Sequence, residues 1–521
     1  MNINNLTLRE KIGQTMCMLC EREAHIRRFG SVEKMLERYP IGSLYACKGM
    51  ENGMMLSIDM DEFKSCAEEY NSFCKIPLLK MGEAAWKSEK TVSFSSSMGL
   101  GAANDVDLAY RLGKISGQNA KRSGTDMVLS PVVDLNMSPD SPVINTRAYG
   151  DTPERVIPIA GAYIRGVQQQ GVAACAKHFP GPDDKECIDP HLAPADNLIS
   201  REKWDATNGK VYQEIIKEGV YTIMSGHQNL VAYQTEKIDD RYPSATVSYE
   251  LITKLLKNRL GFGGMVVTDA LCMGGFIGTN GLENQVRCLT AGNDMLLWPS
   301  FEYMDEVEKR VLNGEIPMER IDDAVKRVLE LKEKLGLLMG AERSVRYDEK
   351  EAETVSREIA GKSITLVRNI RGVIPSADIK KVLIVIATPS ERSGLKLKYL
   401  KECFERFGIK ADVLRDTTQE EIKEKQDSYD LVMFALCRTT HDPIGPLEFW
   451  GNNASTVWAS NSCDLSKSLV VSFGTPYSFK YYKCTQMTYI NAYSPDEEVQ
   501  AAVVERILGK KPFEGVSPVK L

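Results

Sequence analysis

A repeated order of helix, glycine, short apolar strand and polar residue runs through the first two thirds of the chain and predicts an α/β fold. Seven candidate strands precede residue 340, among them 127–133, 265–268 and 295–298. Short strands that alternate with helices pair in parallel, and seven or eight such units suit a TIM-like (β/α) barrel. The sequence therefore predicts a TIM-like barrel followed by an open doubly wound α/β sandwich domain.

The N-terminal segment departs from this order. The spacing from Thr7 to Glu10 is that of a capping box, and apolar residues at helical spacing follow as far as Leu19. This pattern predicts one helix, in which Cys17 and Cys20 pack as small apolar groups. A first strand is not clearly predicted here.

The C-terminal part begins a second alternation after a polar stretch. Its helices separate five predicted strands, at 381–386, 411–414, 431–436, 469–473 and 487–491. This pattern is typical of an open doubly wound sheet. We place the barrel at 1–340, a linker at 341–354 and the sandwich domain at 355–521. No glycine-rich phosphate-binding motif follows these strands, so nucleotide binding is not expected.

Composition and charge exclude several classes of protein. The 521 residues are 43% hydrophobic and 26% charged, with a net charge of -6, as in soluble globular proteins. This charge gives no electrostatic reason to bind nucleic acid or an anionic membrane, and no apolar run reaches the roughly 18–20 residues that span a bilayer. Without a visible export signal, the 13 scattered cysteines are interpreted as reduced thiols of a cytoplasmic protein.

Polar side chains at the predicted strand ends and in adjoining loops form the candidate site, because the carboxyl ends of barrel strands share one face. They lack the spacing of a metal site, and no G-x-S-x-G motif is present, which argues against a serine hydrolase. Carboxylates combined with a general acid/base suit glycoside cleavage. The candidate residues are Glu83, Arg147, Lys177, His178, Asp189, His191, His227 and Asp269.

Several motifs together resemble glycoside hydrolase family 3, in its β-N-acetylglucosaminidase branch. Lys-His-Phe-Pro-Gly at 177–181, followed by Asp189-x-His191, is similar to the signature of that branch. Residues 145–150 resemble the family's Arg-Ser-Phe-Gly segment, and 261–273 resemble the stretch that holds its catalytic aspartate. The resemblance covers residues 5 to 340 and, more loosely, the second domain.

The resemblance implies a retaining, double-displacement mechanism. Asp269 would be the nucleophile that attacks the anomeric carbon and forms a glycosyl-enzyme. His191 would be the general acid/base, and Asp189 would orient it. A histidine can serve because its pKa lies near neutrality and an adjacent carboxylate fixes its tautomer.

The remaining candidates match positions that hold the sugar. The resemblance implies sugar contacts for Arg147, Lys177 and His178. His227 lies at a matching strand end and either contacts the ligand or supports the pocket. Asp134 is expected behind the site, where it holds Lys177 or a backbone turn.

Two features depart from the family pattern. Glu83 stands where the family usually has a sugar-binding aspartate, and the nearby Trp86 offers a stacking face or packs. The loop also carries one extra residue before Asp189. His25 and His441 lie outside the constellation and are interpreted as surface or packing residues.

These residues predict a cytoplasmic, exo-acting β-N-acetylglucosaminidase that removes a terminal non-reducing GlcNAc without a cofactor, with cell-wall muropeptides as candidate substrates. Three alternatives stay open: a related phosphorylase, since His191 opposes phosphate less than a carboxylate would; a β-glucosidase or xylosidase; and a non-catalytic sugar-binding protein, supported only by the altered segment at Glu83. No nucleic-acid or membrane partner is expected, and self-association is left open.

Overall fold

The chain folds into two compact units. The computed structural model describes residues 3–51, 54–83, 91–185, 187–276, 281–340, 346–388, 397–415, 417–438 and 452–521. The first unit comprises Met1–Thr91, Ala109–Leu135 and Ala160–Asp348, and the second Val92–Leu108, Asn136–Ile159 and Glu349–Leu521. Among the described helices, none is both long enough and apolar enough to cross a membrane.

The first unit is a closed barrel of parallel strands, which confirms the predicted fold. Its strands, with a small antiparallel pair β3–β4, are β1 (Met16–Leu19), β2 (Ser43–Tyr45), β3 (Met50–Glu51), β4 (Met54–Met55), β5 (Leu79–Gly82), β6 (Met127–Val128), β7 (Ala173–Phe179), β8 (Thr222–Ser225), β9 (Met265–Ala270) and β10 (Met295–Leu297). The order around the barrel is β1-β10-β9-β8-β7-β6-β5-β2. The carboxyl ends of all these barrel strands therefore open on one face.

The strand β1 lies where the sequence predicted a helix. The N-terminal helix covers only Leu8–Gln14, and Met16–Leu19 then pairs in parallel with β2 and β10. All four strand residues are buried. A fully buried strand shows no alternation of apolar and polar residues, so periodicity does not separate it from a buried helix. The predicted helix was wrong here, and Cys17 is part of a barrel strand.

Helices connect the strands of the first unit and leave a packed interior. The inward side chains include Leu19, Met81, Met127, Cys175 and Val267, which form one apolar cluster. The barrel is thus a solid core that fixes the strand ends. Its helical segments are Arg22–Phe29, Val32–Arg38, Met60–Ser72, Arg201–Ala206, Asn208–Lys217, Glu250–Arg259, Gly281–Ala291, Glu302–Leu312 and Met318–Lys334, together with most of Val106–Arg122 and the second half of Pro153–Gln169, which both begin in stretches assigned to the second unit.

The second unit contains an open sheet. Its strands are β11 (Thr365–Asn369), β12 (Lys381–Ala387), β13 (Lys410–Arg415), β14 (Leu431–Leu436), β15 (Ser468–Ser472) and β16 (Thr488–Asn491), in the order β11-β16-β15-β14-β12-β13. The five predicted strands are present and run parallel to one another. The edge strand β11, antiparallel to β16, was not predicted.

Both faces of this sheet are covered. Val382 and Ile384 belong to one apolar cluster, and Leu383 and Val385 belong to another. Burial on both faces is typical of parallel sheets in doubly wound folds. The described helices of the unit are Ser97–Ala103, Glu349–Ser363, Leu400–Glu405, Gln419–Lys425, Asn452–Ser462 and Glu497–Ile507, of which Glu349–Ser363 begins inside the stretch predicted as a linker. The domain boundaries inferred from the sequence stay a prediction.

Candidate active site

Four barrel strands carry predicted site residues at their carboxyl ends. Glu83 follows β5, Lys177 and His178 lie in β7, His227 follows β8, and Asp269 lies in β9. His178, His227 and Lys177 each contribute to the electrostatic environment of the Asp269 carboxylate. Lys177 in turn lies 3.4 Å from Glu83, so the closed barrel brings these side chains, predicted from separate strands, close to one another.

Asp269 is held as a carboxylate. Its Oδ1 atom accepts a hydrogen bond of 2.8 Å from the backbone N–H of Ala270. Burial by itself would raise the pKa of Asp269, but His178, His227, Lys177 and the backbone N–H together lower it to about 2. The side chain is consequently ionised through the neutral range, as a carboxylate nucleophile requires.

His191 and Asp189 form the predicted dyad. The Nδ1 atom of His191 lies 2.7 Å from Oδ1 of Asp189, which also accepts the backbone N–H of His191 at 2.8 Å. The His191 side chain is 25% exposed, whereas that of Asp189 is 1% exposed. The buried carboxylate thus orients a ring that reaches solvent, and proton exchange with a ligand would use Nε2.

Asp134 holds His178 rather than the predicted partner, Lys177 or a turn. The Nδ1 atom of His178 lies 2.7 Å from Oδ2 of Asp134, and the backbone N–H of His178 donates to Oδ1 at 3.0 Å. Asp134 is buried. Two bonds to one carboxylate fix both the ring and the backbone of His178 at the end of β7.

Lys177 pairs with Glu83, the residue that departs from the family pattern. The Lys177 Nζ atom lies 3.4 Å from each carboxylate oxygen of Glu83. The hydroxyl of Tyr45 lies 3.5 Å from Glu83 Oε1, and the Tyr45 ring meets the ring of Trp298 edge-on at 5.2 Å. Tyr45 and Trp298 were not predicted to lie beside the candidate residues, although each stands at a strand end, the signal by which those residues were found.

His227 supports the strand β9, which carries Asp269. Its Nε2 atom lies 2.9 Å from the backbone carbonyl oxygen of Ala270 and must donate to it, and its Nδ1 atom lies 2.9 Å from Oγ1 of Thr246. Burial lowers the pKa of His227. Since the protein engages both ring nitrogens, these contacts favour support over ligand binding, the two roles left open by the sequence.

The other predicted residues fall elsewhere. Arg147 belongs to the second unit, where it ends the turn Asn145–Arg147 and its Nη1 atom lies 3.4 Å from the carbonyl of Val143. Its role as a sugar ligand stays a prediction. His25, interpreted from the sequence as a surface or a packing residue, is buried and therefore packs. Trp86 and His441 lie outside the described residues, and among the described residues no group of three or more His, Cys, Asp or Glu side chains is arranged to hold a metal ion.

A (β/α) barrel with an ionised carboxylate at a strand end and a His–Asp dyad on a loop has the features of a sugar-cleaving barrel enzyme. A family model described as "Glycosyl hydrolase family 3 N terminal domain" matches residues 7–331. The chain therefore belongs to glycosyl hydrolase family 3, as the motifs predicted.

Similar proteins cover nearly the whole chain. A β-N-acetylglucosaminidase/β-glucosidase of Cellulomonas fimi is 29% identical over 516 residues, covering 91% of this chain and 89% of that protein. A structure titled as a family 3 β-N-acetylglucosaminidase from Paenibacillus sp. str. FPU-7 has a TM-score of 0.82 and 26% identity, and covers 99% of each chain. The β-glucoside phosphorylase BglX bound to 2FGlc has a TM-score of 0.86 at 26% identity, covering 99% of this chain and 95% of that one.

Proposed function

We propose that the protein is a retaining exo-β-N-acetylglucosaminidase that releases a terminal non-reducing GlcNAc through a glycosyl-enzyme on Asp269. The observation that carries the proposal is the His191–Asp189 pair, joined at 2.7 Å, in the same unit as the ionised Asp269. Most retaining glycosidases use a second carboxylate as acid/base. Relatives named as β-N-acetylglucosaminidases support the choice of sugar.

Each displacement uses the same two side chains. In the first, the Asp269 carboxylate attacks the anomeric carbon while Nε2 of His191 gives its proton to the departing glycosidic oxygen. In the second, His191 takes a proton from water, whose oxygen attacks the same carbon and releases Asp269. His191 is therefore neutral in the glycosyl-enzyme and charged before the first and after the second displacement, and Asp189 stabilises the charged ring in those two states.

The test compares aryl β-GlcNAc with aryl β-glucoside and β-xyloside substrates. We expect cleavage of the GlcNAc substrate with retained configuration, and covalent labelling of the peptide that contains Asp269 by a 5-fluoro-GlcNAc fluoride. Cleavage of the glucoside or xyloside alone would contradict the proposed sugar. A label on another residue would contradict the proposed nucleophile. If the parent protein binds GlcNAc without any turnover, the non-catalytic alternative is favoured.

Phosphorolysis is the second candidate, supported by the similarity to the β-glucoside phosphorylase. A neutral His191 opposes an incoming phosphate less than a carboxylate would, so phosphate could replace water in the second displacement. Product analysis with and without phosphate decides between the two. Sugar 1-phosphate as the main product would displace the hydrolase proposal, whereas an unchanged yield of free sugar would support it.

The muropeptide substrate and the cytoplasmic location extend the proposal. Release of GlcNAc from purified muropeptides, at a rate comparable with that from aryl substrates, would support the first. Cell fractionation with an antibody against the protein tests the second, and recovery with the secreted or envelope fraction would contradict it.

A further inference from the structure

The chain turns sharply after the nucleophile and presents two adjacent glycines. Ala270, the residue after Asp269, accepts a backbone hydrogen bond of 3.1 Å from Met273 at its carbonyl oxygen. Gly274 and Gly275 follow that turn directly. Their position relative to the nucleophile is therefore set by a short, hydrogen-bonded stretch of backbone.

These two glycines hold the loop that carries the acid/base. The backbone N–H of Gly274 donates to the carbonyl oxygen of His191 at 2.8 Å, and that of Gly275 donates to the carbonyl of Pro190 at 2.8 Å. The two bonds involve the acid/base residue itself and its neighbour. Together they join the loop after β7 to the loop after β9.

The contact is too close for any side chain. A Cβ atom on Gly274 would lie 2.9 Å from the carbonyl oxygen of His191, and one on Gly275 would lie 2.6 Å from that of Pro190 and 3.3 Å from Cβ of His227. Neither glycine is among the residues with positive φ. Glycine is therefore required here by space and not by backbone conformation.

The same contacts connect to the nucleophile. The Ala270 carbonyl that accepts the N–H of Met273 also accepts Nε2 of His227 at 2.9 Å. His227 thus packs beside Gly275 and fixes the residue next to Asp269. One network of hydrogen bonds therefore connects the end of β9, the turn that follows it and the loop that carries His191.

We infer that Gly274 and Gly275 are positioning residues that dock the acid/base loop and set the place of His191 relative to Asp269. This inference rests on the proposed glycosidase function. Because glycine has no side chain, Gly274 and Gly275 act on the position of His191 and Asp269 only through the backbone. Breaking the two backbone hydrogen bonds would displace His191, while Asp269 could still attack the anomeric carbon.

The test uses Gly274→Ala and Gly275→Ala with two aryl β-GlcNAc substrates. For a phenyl leaving group, which needs protonation, kcat/KM should fall about 100-fold. For a 2,4-dinitrophenyl leaving group, which departs without help, kcat/KM should change little, because this constant reports only the first displacement. The kcat for the second substrate should fall and be restored by azide, which attacks the glycosyl-enzyme without a general base.

Gly263→Ala is the matched control, since a Cβ there meets nothing within 4 Å. It should leave both substrates unaffected. An equal loss for both substrates in Gly274→Ala and Gly275→Ala would overturn the inference, because the glycines would then serve the fold or the nucleophile. Unchanged kinetics in both variants would overturn it as well.

Amide hydrogen exchange tests docking even if a variant is inactive or the parent cleaves no substrate. We expect slow exchange in the peptide 271–276 of the parent protein and faster exchange of 189–193 in Gly275→Ala. Fast exchange of 271–276 in the parent would overturn the inference. A parent that is docked by this measure but inactive on every glycoside would instead overturn the proposed function.

Discussion

His178 and Asp134 meet through two hydrogen bonds, one from the ring at 2.7 Å and one from the backbone at 3.0 Å. They come from different strands, since Asp134 lies beyond β6 and His178 lies in β7. The buried carboxylate thereby fixes the direction of the ring and the course of the strand end. His178 in turn acts on the pKa of Asp269, so Asp134 influences the proposed nucleophile through it.

Asp134→Asn should lower kcat/KM by about 10- to 100-fold, because a hydrogen bond to a charged group contributes about 1.5–3 kcal/mol. The amide keeps the shape but loses the charge that orients the ring. Steady-state kinetics with an aryl glycoside measure the effect. Asp239→Asn, an exposed position, serves as the control and should behave like the parent. A kcat/KM of Asp134→Asn equal to that of the parent would show that His178 needs no carboxylate partner.

Glu83→Gln should affect substrate use far more than stability. The Lys177–Glu83 pair is long, at 3.4 Å, with side chains 6% and 47% exposed, and glutamine keeps an oxygen that accepts from Lys177, so the substitution should cost about 1 kcal/mol of unfolding free energy. A carboxylate that binds a sugar hydroxyl contributes more, and kcat/KM should fall about tenfold or further. Urea unfolding and kinetics separate the two effects.

Glu214→Gln is the matched control for Glu83→Gln. It removes an exposed pair with Lys217 on the helix Asn208–Lys217 and should alter neither quantity. If Glu83→Gln leaves kcat/KM unchanged, Glu83 does not bind the substrate and serves only as the partner of Lys177.

Asp269 should remain a nucleophile well into the acid range. Its pKa of about 2 lies below the ordinary value of 3.8, so the carboxylate contributes stability above about pH 4 that is lost as the pH falls towards 2. Asp269→Asn should abolish turnover and, in urea unfolding, show a smaller loss of stability between pH 4 and 2 than the parent. An identical pH dependence of stability in both proteins would contradict the lowered pKa.

His25 should make the protein sensitive to mild acid. Burial, reinforced by Arg28, lowers the pKa of His25 from 6.5 to about 4. The unfolded chain therefore binds the proton first, and stability falls as the pH drops through this window, by on the order of 3 kcal/mol. His25→Gln should flatten the dependence of unfolding free energy between pH 6.5 and 4. An unchanged slope would show that other groups cause it.

Strand ends were predictable because each is marked locally, by an apolar run followed at once by a polar residue. Lys177, His178 and Asp269 were found in this way, and Asp189 with His191 by their spacing of two residues. β1 was missed because a strand buried on both sides has no polar alternation to reveal it.

The amino-acid sequence by itself determined the family and the barrel, and it predicted Asp269 as the nucleophile and Asp189 with His191 as the dyad, since these follow from local patterns and short motifs. Only the tertiary structure decided which distant residues meet: Asp134 with His178, 44 residues apart, and His227 with Ala270, 43 residues apart. It also showed that Gly274 and Gly275 leave room for the loop that carries Asp189 and His191. Such contacts form only when the barrel closes and brings separate strands and loops together. The number of residues between two positions does not predict whether they meet.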